Sequence, residues 1–332
     1  MDTDDILAKA SLRLEARDIP VPAHVSAQAR IFLATAGMAP ATPEPAGTSQ
    51  AEWDEAAAAW NSRILPMIEP ILAQIPIDLQ TIEVGRCNVH IATPHELAPA
   101  AARYAFLDIH GGGLVFGAGR FAQAMTIFRA ASLGCRVFGV DYRVPPAHPY
   151  PAPLDDCLGA YKHLLAEYAP RDIAVSGLSA GGNLATAMLL RARDEGLPLP
   201  AAALLMTPEL DLTESGDSFH TNRIVDVALP NGLPRANALY ANGNDLAHPY
   251  LSPLFGDFAP GFPPTFLQTG TRDLFLSNTV RMHRALLRAQ QPAELHVWEA
   301  MPHAGFGGAT PEDVEMQTAM REFLTRSAGW IL

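Results

Sequence analysis

Ile173-Ala174-Val175-Ser176-Gly177-Leu178-Ser179-Ala180-Gly181-Gly182 joins a short apolar run to a segment of helical patterning that continues to Asp194. An apolar run of this length, ended by glycine, reads as a buried strand, and the change of period at Gly182 reads as the start of a helix. A turn that passes from strand to helix within a few residues leaves no room for side chains beside it. Gly177 and Gly181 therefore flank the residue that the turn pushes outward, Ser179. A serine held there, beside the free N–H groups of a helix start, is placed to act as a nucleophile and to have developing negative charge stabilised. A bare G-x-S-x-G also arises by chance; the strand before it and the helix after it give this one its meaning.

The same alternation extends in both directions. Buried-strand runs are read at Tyr104 to Ile109, Arg136 to Val140, Ile173 to Ser176, Ala201 to Met206, Thr265 to Gln268 and Leu295 to Trp298. Helices are read near Gln123 to Ser132, Asp155 to Tyr168, Gly182 to Asp194, Ser277 to Gln290 and Glu312 to Ser327. This rhythm predicts an α/β fold with a mostly parallel central sheet flanked by helices, and chemistry at the carboxyl ends of the strands. Ahead of it, Ile77 to Val84 alternates with period two and Cys87 to Ala92 reads as its partner strand.

Residues 1–75 show no strand alternation. Clusters such as Ile6-Leu7, Leu12, Leu14 and Ile31-Phe32-Leu33, then Trp53, Trp60, Ile64 and Leu65, are interrupted by Pro20, Pro22, Pro40, Pro43 and Pro45. That pattern predicts short helices joined by proline turns. The interval 207–264 breaks the α/β rhythm, and because structureless loops of such length are uncommon it predicts an inserted helical element. The expected organisation is an N-terminal helical cap segment, 1–75, and a catalytic domain, 76–332, whose 207–264 insertion contributes to the cap.

His110-Gly111-Gly112-Gly113 directly follows the run ending at Ile109. Consecutive glycines let backbone N–H groups turn towards a ligand, although alone such a run is equally a flexible turn. With a nucleophile downstream, it predicts an oxyanion hole of the Gly111, Gly112 and Ala180 N–H groups. Gly113 completes the glycine run, and His110 is expected to brace the loop rather than act as an acid or base. The acid and the base should each follow a strand, in the chain order serine, acid, histidine. Asp273 follows Thr265 to Gln268 and the turn Thr269-Gly270-Thr271-Arg272. His303 follows Leu295 to Trp298, within Met301-Pro302-His303-Ala304-Gly305. Asp245, Asp257 and Asp313 compete for the acid role, but none follows a core strand. His296 alternates within a strand and reads as a core or face residue, and His283 falls mid-helix and reads as solvent-facing.

Together these motifs are similar to those of the bacterial hormone-sensitive-lipase-like esterases, the HGGG-type branch of the α/β-hydrolases. The likeness runs from about Tyr104 to the C-terminus and includes Asp141-Tyr142-Arg143, His148-Pro149-Tyr150-Pro151-Ala152, Asp211-Leu212-Thr213, Leu251-Ser252-Pro253-Leu254-Phe255 and Gly270-Thr271-Arg272-Asp273. Two positions depart from it. Leu178 stands where the family usually has an acidic or small polar residue, and Ala147 where it commonly has glutamate. Neither is one of Ser179, Asp273 and His303, so the departures touch the polar surroundings of the serine. The resemblance implies an α/β-hydrolase fold with an N-terminal helical cap, and a serine carboxylesterase for short to medium acyl chains working through an acyl-enzyme. It also implies no metal or organic cofactor, and dimers formed through the last strand and helix of the sheet. Lactone hydrolysis uses the same machinery and stays open. So does a catalytically silent small-molecule receptor on this scaffold, against which the retention of Ser179, Asp273 and His303 argues.

Composition removes other classes. The formal charge is -12, and none of the 23 Lys+Arg form a run, so a nucleic-acid partner is not expected. Hydrophobic residues make up 48% and charged residues 17%, enough apolar surface for a packed core. Cys87, Cys135 and Cys157 are odd in number and lack metal-ligand spacing, which predicts buried reduced thiols of a cytoplasmic protein. No apolar run approaches the ~20 residues of a membrane span. Met1-Asp2-Thr3-Asp4-Asp5 is acidic where a secretory signal is basic. The apolar run Leu295-His296-Val297-Trp298 reads as a sheet-edge strand that favours a partner, in keeping with a homodimer.

Overall fold

A computed structural model describes residues 18–36 and 44–332. The expectations for Ile6, Leu7, Leu12, Leu14, Pro40 and Pro43 lie outside the described residues. Helices α1 (Ala27–Ala36) and α2 (Gln50–Leu72) precede the strands β1 (Ile77–Val84), β2 (Cys87–Pro94) and β3 (Ala105–Ile109). Then come α3 (Arg120–Leu133), β4 (Val137–Asp141), α4 (Ala152–Glu167), β5 (Ile173–Leu178), α5 (Ala180–Asp194) and β6 (Ala202–Met206). The interval 207–264 holds α6 (Ser218–Thr221), α7 (Pro234–Ala241) and a 3-10 turn at Pro253–Phe255, and no strand. The chain continues with β7 (Thr265–Gly270), α8 (Leu276–Arg288), β8 (Ala293–Trp298) and α9 (Pro311–Ala328).

The eight strands among the described residues join one sheet in the order β1-β2-β4-β3-β5-β6-β7-β8. β1 and β2 form an antiparallel hairpin, β2 runs antiparallel to β4, and the remaining pairs are parallel. Successive side chains of a strand face opposite ways, and the central strands are apolar on both sides. Leu107, Val175, Leu205 and Leu267 face one core layer with Leu158 and Tyr161 of α4, Leu184 and Met188 of α5, and Met282 and Leu286 of α8. Their neighbours Phe106, Ala174, Leu204 and Phe266 face the other, with Leu133 of α3, Phe323 and Leu324 of α9, and Trp330. Each large side chain so buried contributes about 1.5–3 kcal/mol.

The N-terminal region differs from the expected string of short helices. α2 is one helix of 23 residues that runs through Pro66 and Pro70. A proline inside a helix removes an N–H and crowds the preceding turn. Here packing holds the helix together, because Ile68 and Leu72 lie against Ala124 and Ile127 of α3. Its start is fixed by a capping box between Ser49 and Glu52. Trp53, near that start, packs with Val115, Phe116, Leu233 and Ala236, and Trp60 stacks on Phe116 with centroids 6.0 Å apart. Val25, Ala29 and Leu33 pack instead on Ala300, Met301 and Phe306 beyond β8. Among the described residues no helix is long and apolar enough to cross a membrane. The three cysteines are buried and free.

Candidate active site

Ser179 sits between β5 and α5 with φ 57° and ψ -121°, in the left-handed region that an ordinary side chain occupies only under strain. The surroundings enforce it. A Cβ on Gly177 would run into the Gly181 carbonyl, and one on Gly181 into the Ile109 carbonyl at the end of β3. The Ser179 N–H donates to the Met206 carbonyl at 2.9 Å, and its own carbonyl accepts the N–H of Glu209 at 3.1 Å. The serine is thereby locked between the ends of β3 and β6.

His303 Nε2 lies 2.8 Å from Ser179 Oγ, and its Nδ1 lies 3.0 Å from Asp273 Oδ1. Asp273 is fully buried after β7. Its Oδ2 accepts the Thr269 hydroxyl at 2.6 Å and its Oδ1 the N–H of Phe275 at 2.9 Å. The Phe275 ring meets the imidazole edge-on at 4.8 Å. Burial opposes the charged imidazolium, but the Asp273 hydrogen bond and the charges of Asp273 and Asp226 outweigh it and hold the His303 pKa above its ordinary value. The loop carrying His303 is tied to α9, where Asp313 accepts the N–H groups of Phe306 at 3.0 Å and Gly308 at 2.9 Å. Asp313 is therefore engaged as a cap at the start of that helix.

Gly111 lies directly over Ser179, where a Cβ would come within 3.3 Å of Ser179 Cβ. Gly112 and Gly113 have φ 131° and 59°, values that favour glycine. No acceptor among the described residues takes the N–H of Gly111 or Gly112. Ala180 is the first residue of α5, where an N–H has no partner inside the helix. His110 donates from Nδ1 to the Gly111 carbonyl at 2.7 Å and stacks on Tyr142 at 4.2 Å, while the Tyr142 hydroxyl donates to the His110 carbonyl at 3.0 Å. Burial holds the His110 pKa below its ordinary value, so the ring is neutral and braces the loop.

Ser179, Asp273, His303, Gly111, Gly112 and Ala180 thus converge on one point, with His110, Gly113, Gly177 and Gly181 around them. His296 stays on β8, stacked on Phe266 at 4.5 Å and 3.2 Å from Glu294. His283 is half-buried on α8. Asp245 and Asp257 accept nearby backbone N–H groups within turns.

Sequence reasoning missed four side chains here. Thr269 holds Asp273. Asn222 donates to the carbonyl of Asp273 at 2.8 Å and to that of Thr271 at 3.1 Å. Glu209 is fully buried with neither carboxylate oxygen partnered, and burial pushes its pKa up to about 8. Asp226 is buried and accepts the N–H groups of Leu274, Ala228 and Leu229 at 2.7, 3.0 and 3.1 Å and of His303 at 3.3 Å. Burial raises its pKa, and the His303 charge opposes that rise. Ligand atoms of Asp226, Asp273 and His303 lie within 4.8 Å of one another, spacing that could suit a metal ion. Every one of those carboxylate oxygens already accepts an N–H or O–H, so hydrogen bonds account for the cluster. Of the four, only Thr269 stood in a turn already singled out; the other three lie in segments without periodicity.

The model of the alpha/beta hydrolase fold family designated Abhydrolase_3 matches residues 106–306. An acetyl-hydrolase of Streptomyces hygroscopicus is 32% identical over 224 residues, 67% of this chain and 73% of that protein. An esterase of Acinetobacter venetianus is 31% identical over 233 residues, 69% of this chain and 77% of its own length. Among solved structures, esterase E25 superposes with a TM-score of 0.88 at 34% identity, covering 96% of this chain and 99% of that one. An esterase described as belonging to the bacterial hormone-sensitive lipase family superposes with a TM-score of 0.78 at 32% identity, over 92% of this chain and 99% of the other. The chain belongs to the α/β-hydrolase fold family and, within it, to the hormone-sensitive-lipase-like esterases, the serine carboxylesterases that hydrolyse carboxylic esters.

Proposed function

We propose that this esterase works through Ser179 as nucleophile, His303 as general base and Asp273 as the acid that orients the histidine. The observation that carries the reading is the unbroken line from Ser179 Oγ through the imidazole to a buried carboxylate, at 2.8 and 3.0 Å. A serine hydroxyl is a poor nucleophile until a base takes its proton. His303 takes it as Oγ attacks the ester carbonyl, and Asp273 fixes the tautomer and stabilises the imidazolium. The tetrahedral oxyanion is held by the N–H groups of Gly111, Gly112 and Ala180, each worth about 10²–10³-fold in turnover. The imidazolium protonates the leaving alkoxide. Water then attacks the acyl-enzyme by the same route and releases the acid. None of these steps calls on a metal or an organic cofactor.

The substrate class is esters with short to medium acyl chains. The apolar walls around the site support it: Leu233 lies against Gly113, and Trp53, Phe219 and Leu274 close around Leu233. On this reading the N-terminal helices and the 207–264 insertion form a cap over the mouth. Glu44 favours that view, because it accepts the N–H groups of Arg235 and Ala236 at the start of α7 and so ties the two parts together. The buried free thiols are in keeping with a cytoplasmic location.

A fluorophosphonate probe should label wild type at Ser179. Ser179→Ala and His303→Ala should each lower kcat by about 10⁴-fold or more while remaining folded. His296→Ala should stay near wild type. Near wild-type hydrolysis by Ser179→Ala would remove the nucleophile assignment. p-Nitrophenyl esters from acetate to palmitate, assayed beside simple lactones, would read the acyl preference.

A further inference from the structure

Asp226 comes from the inserted segment, yet its carboxylate is as closed to solvent as that of Asp273, at 1% and 0% exposure. Two of its bonds stay within its own loop, to Ala228 and Leu229. The others leave it, to the N–H of Leu274 immediately after the acid and to the N–H of His303 itself. Elsewhere the acid turn and the base loop meet through Arg272 N–H to the Met301 carbonyl at 3.2 Å and Ala300 N–H to Thr271 Oγ1 at 2.7 Å. Neither of those bonds involves His303 or Asp273 directly.

We propose that Asp226 is a positioning residue for the triad: one buried carboxylate of the insertion grips the backbone at Leu274 and at His303, and so sets the spacing between Asp273 and the imidazole. This inference rests on the triad reading given above.

The carboxylate form suits the task. All of its partners among the described residues are N–H donors, which an anion satisfies through several lone pairs at once. A protonated carboxyl would turn an O–H towards donors, and an asparagine would turn an NH₂ towards them. The anion also sets a second negative charge beside the imidazolium. Among the described residues, the titratable groups facing His303 are Asp273 from the acid turn, Asp226 from the insertion and Glu209 from the turn after β6, the last with its pKa pushed up to about 8 by burial. His303 must be neutral to act as the base. Taking away the Asp226 charge disfavours imidazolium, so activity should set in at lower pH.

Kinetics across pH with p-nitrophenyl butyrate test this in Asp226→Asn and Asp226→Glu, with Ser179→Ala and His303→Ala alongside. In Asp226→Asn, kcat should fall by about 10- to 100-fold, the scale of a reacting group misplaced by about 1 Å. KM should stay within about twofold, since ground-state binding is untouched. The acid limb of kcat/KM should move to lower pH. Asp226→Glu keeps the charge but displaces it, so kcat should fall while the acid limb stays in place. Wild-type kcat with an unmoved acid limb in Asp226→Asn would overturn the proposal. So would a kcat loss in that variant with the limb unmoved, which would make Asp226 a structural residue. Should Asp226→Asn fail to fold by circular dichroism, Asp226→Glu decides: reduced kcat at the wild-type acid limb supports the proposal, and wild-type kcat overturns it. Wild-type rates in Ser179→Ala or His303→Ala would instead bring down the triad reading, a result recognisable independently of Asp226.

Discussion

Glu209 is fully buried, and neither of its carboxylate oxygens has a hydrogen-bond partner among the described residues. A charge buried without donors is costlier than a neutral carboxyl, so the protonated form fits this site at neutral pH. With the folded pKa raised to about 8, the unfolded chain releases this proton at the ordinary glutamate value and the folded chain keeps it. Stability from this group is complete below the unfolded pKa and is lost as pH rises through that window to about 8, then levels off. Glu209→Gln should therefore gain on wild type in melting temperature between pH 5 and pH 8, by about 1 kcal/mol or more at the upper end. Parallel melting curves of the two proteins across that range would refute it. At this scale the sequence was legible wherever a residue followed a strand, as Ser179, Asp273 and His303 do. Asp226 and Glu209 were not, because a carboxylate in an aperiodic segment looks like a solvated turn residue. What buries it is backbone and side chains brought from distant parts of the chain.

Strand and helix positions were legible to within a few residues, because apolar runs and amphipathic periods are local properties. β5 extends to Leu178 where the apolar pattern suggested Ser176, since the elbow continues the ladder with β6. α2 was expected as a short helix around Trp53, Trp60, Ile64 and Leu65, but it runs on through Pro66 and Pro70 to Leu72, because the contacts of Ile68 and Leu72 with α3 overrule those local stop signals. Trp53, near the start of α2, tests the cap reading. It is buried against Val115, Phe116, Leu233 and Ala236, and its Nε1 donates to the Gly47 carbonyl at 3.1 Å. Trp53→Ala should free space beside Leu233 and move the acyl optimum to longer chains. Each methylene newly accommodated is worth about 0.8 kcal/mol, or about fourfold in kcat/KM. An unchanged chain-length profile in a folded variant would argue that these helices only cover the flank of the sheet.

For the molecule as a whole, periodicity foretold a mostly parallel sheet but not the order of its strands. Nothing local tells β4 to lie between β2 and β3, because that choice depends on how the connections cross the sheet. The order does leave β8 at one edge, with Val297 44% exposed, and this open edge supports the dimer expected from its apolar composition. Light scattering at micromolar concentration should give twice the monomer mass, and Val297→Pro should shift it towards the monomer. Only the monomer mass in wild type would discard the dimer. The same edge position bears on how the enzyme comes to life during refolding. Ser179 can be seated once β3, β5 and β6 have paired, but His303 arrives only on the loop beyond β8, which pairs with β7 alone. Intrinsic fluorescence and circular dichroism can thus recover before any ester is turned over. The return of hydrolysis clocks the docking of one edge strand, and a lag between the optical signal and the enzymatic one would time that step directly.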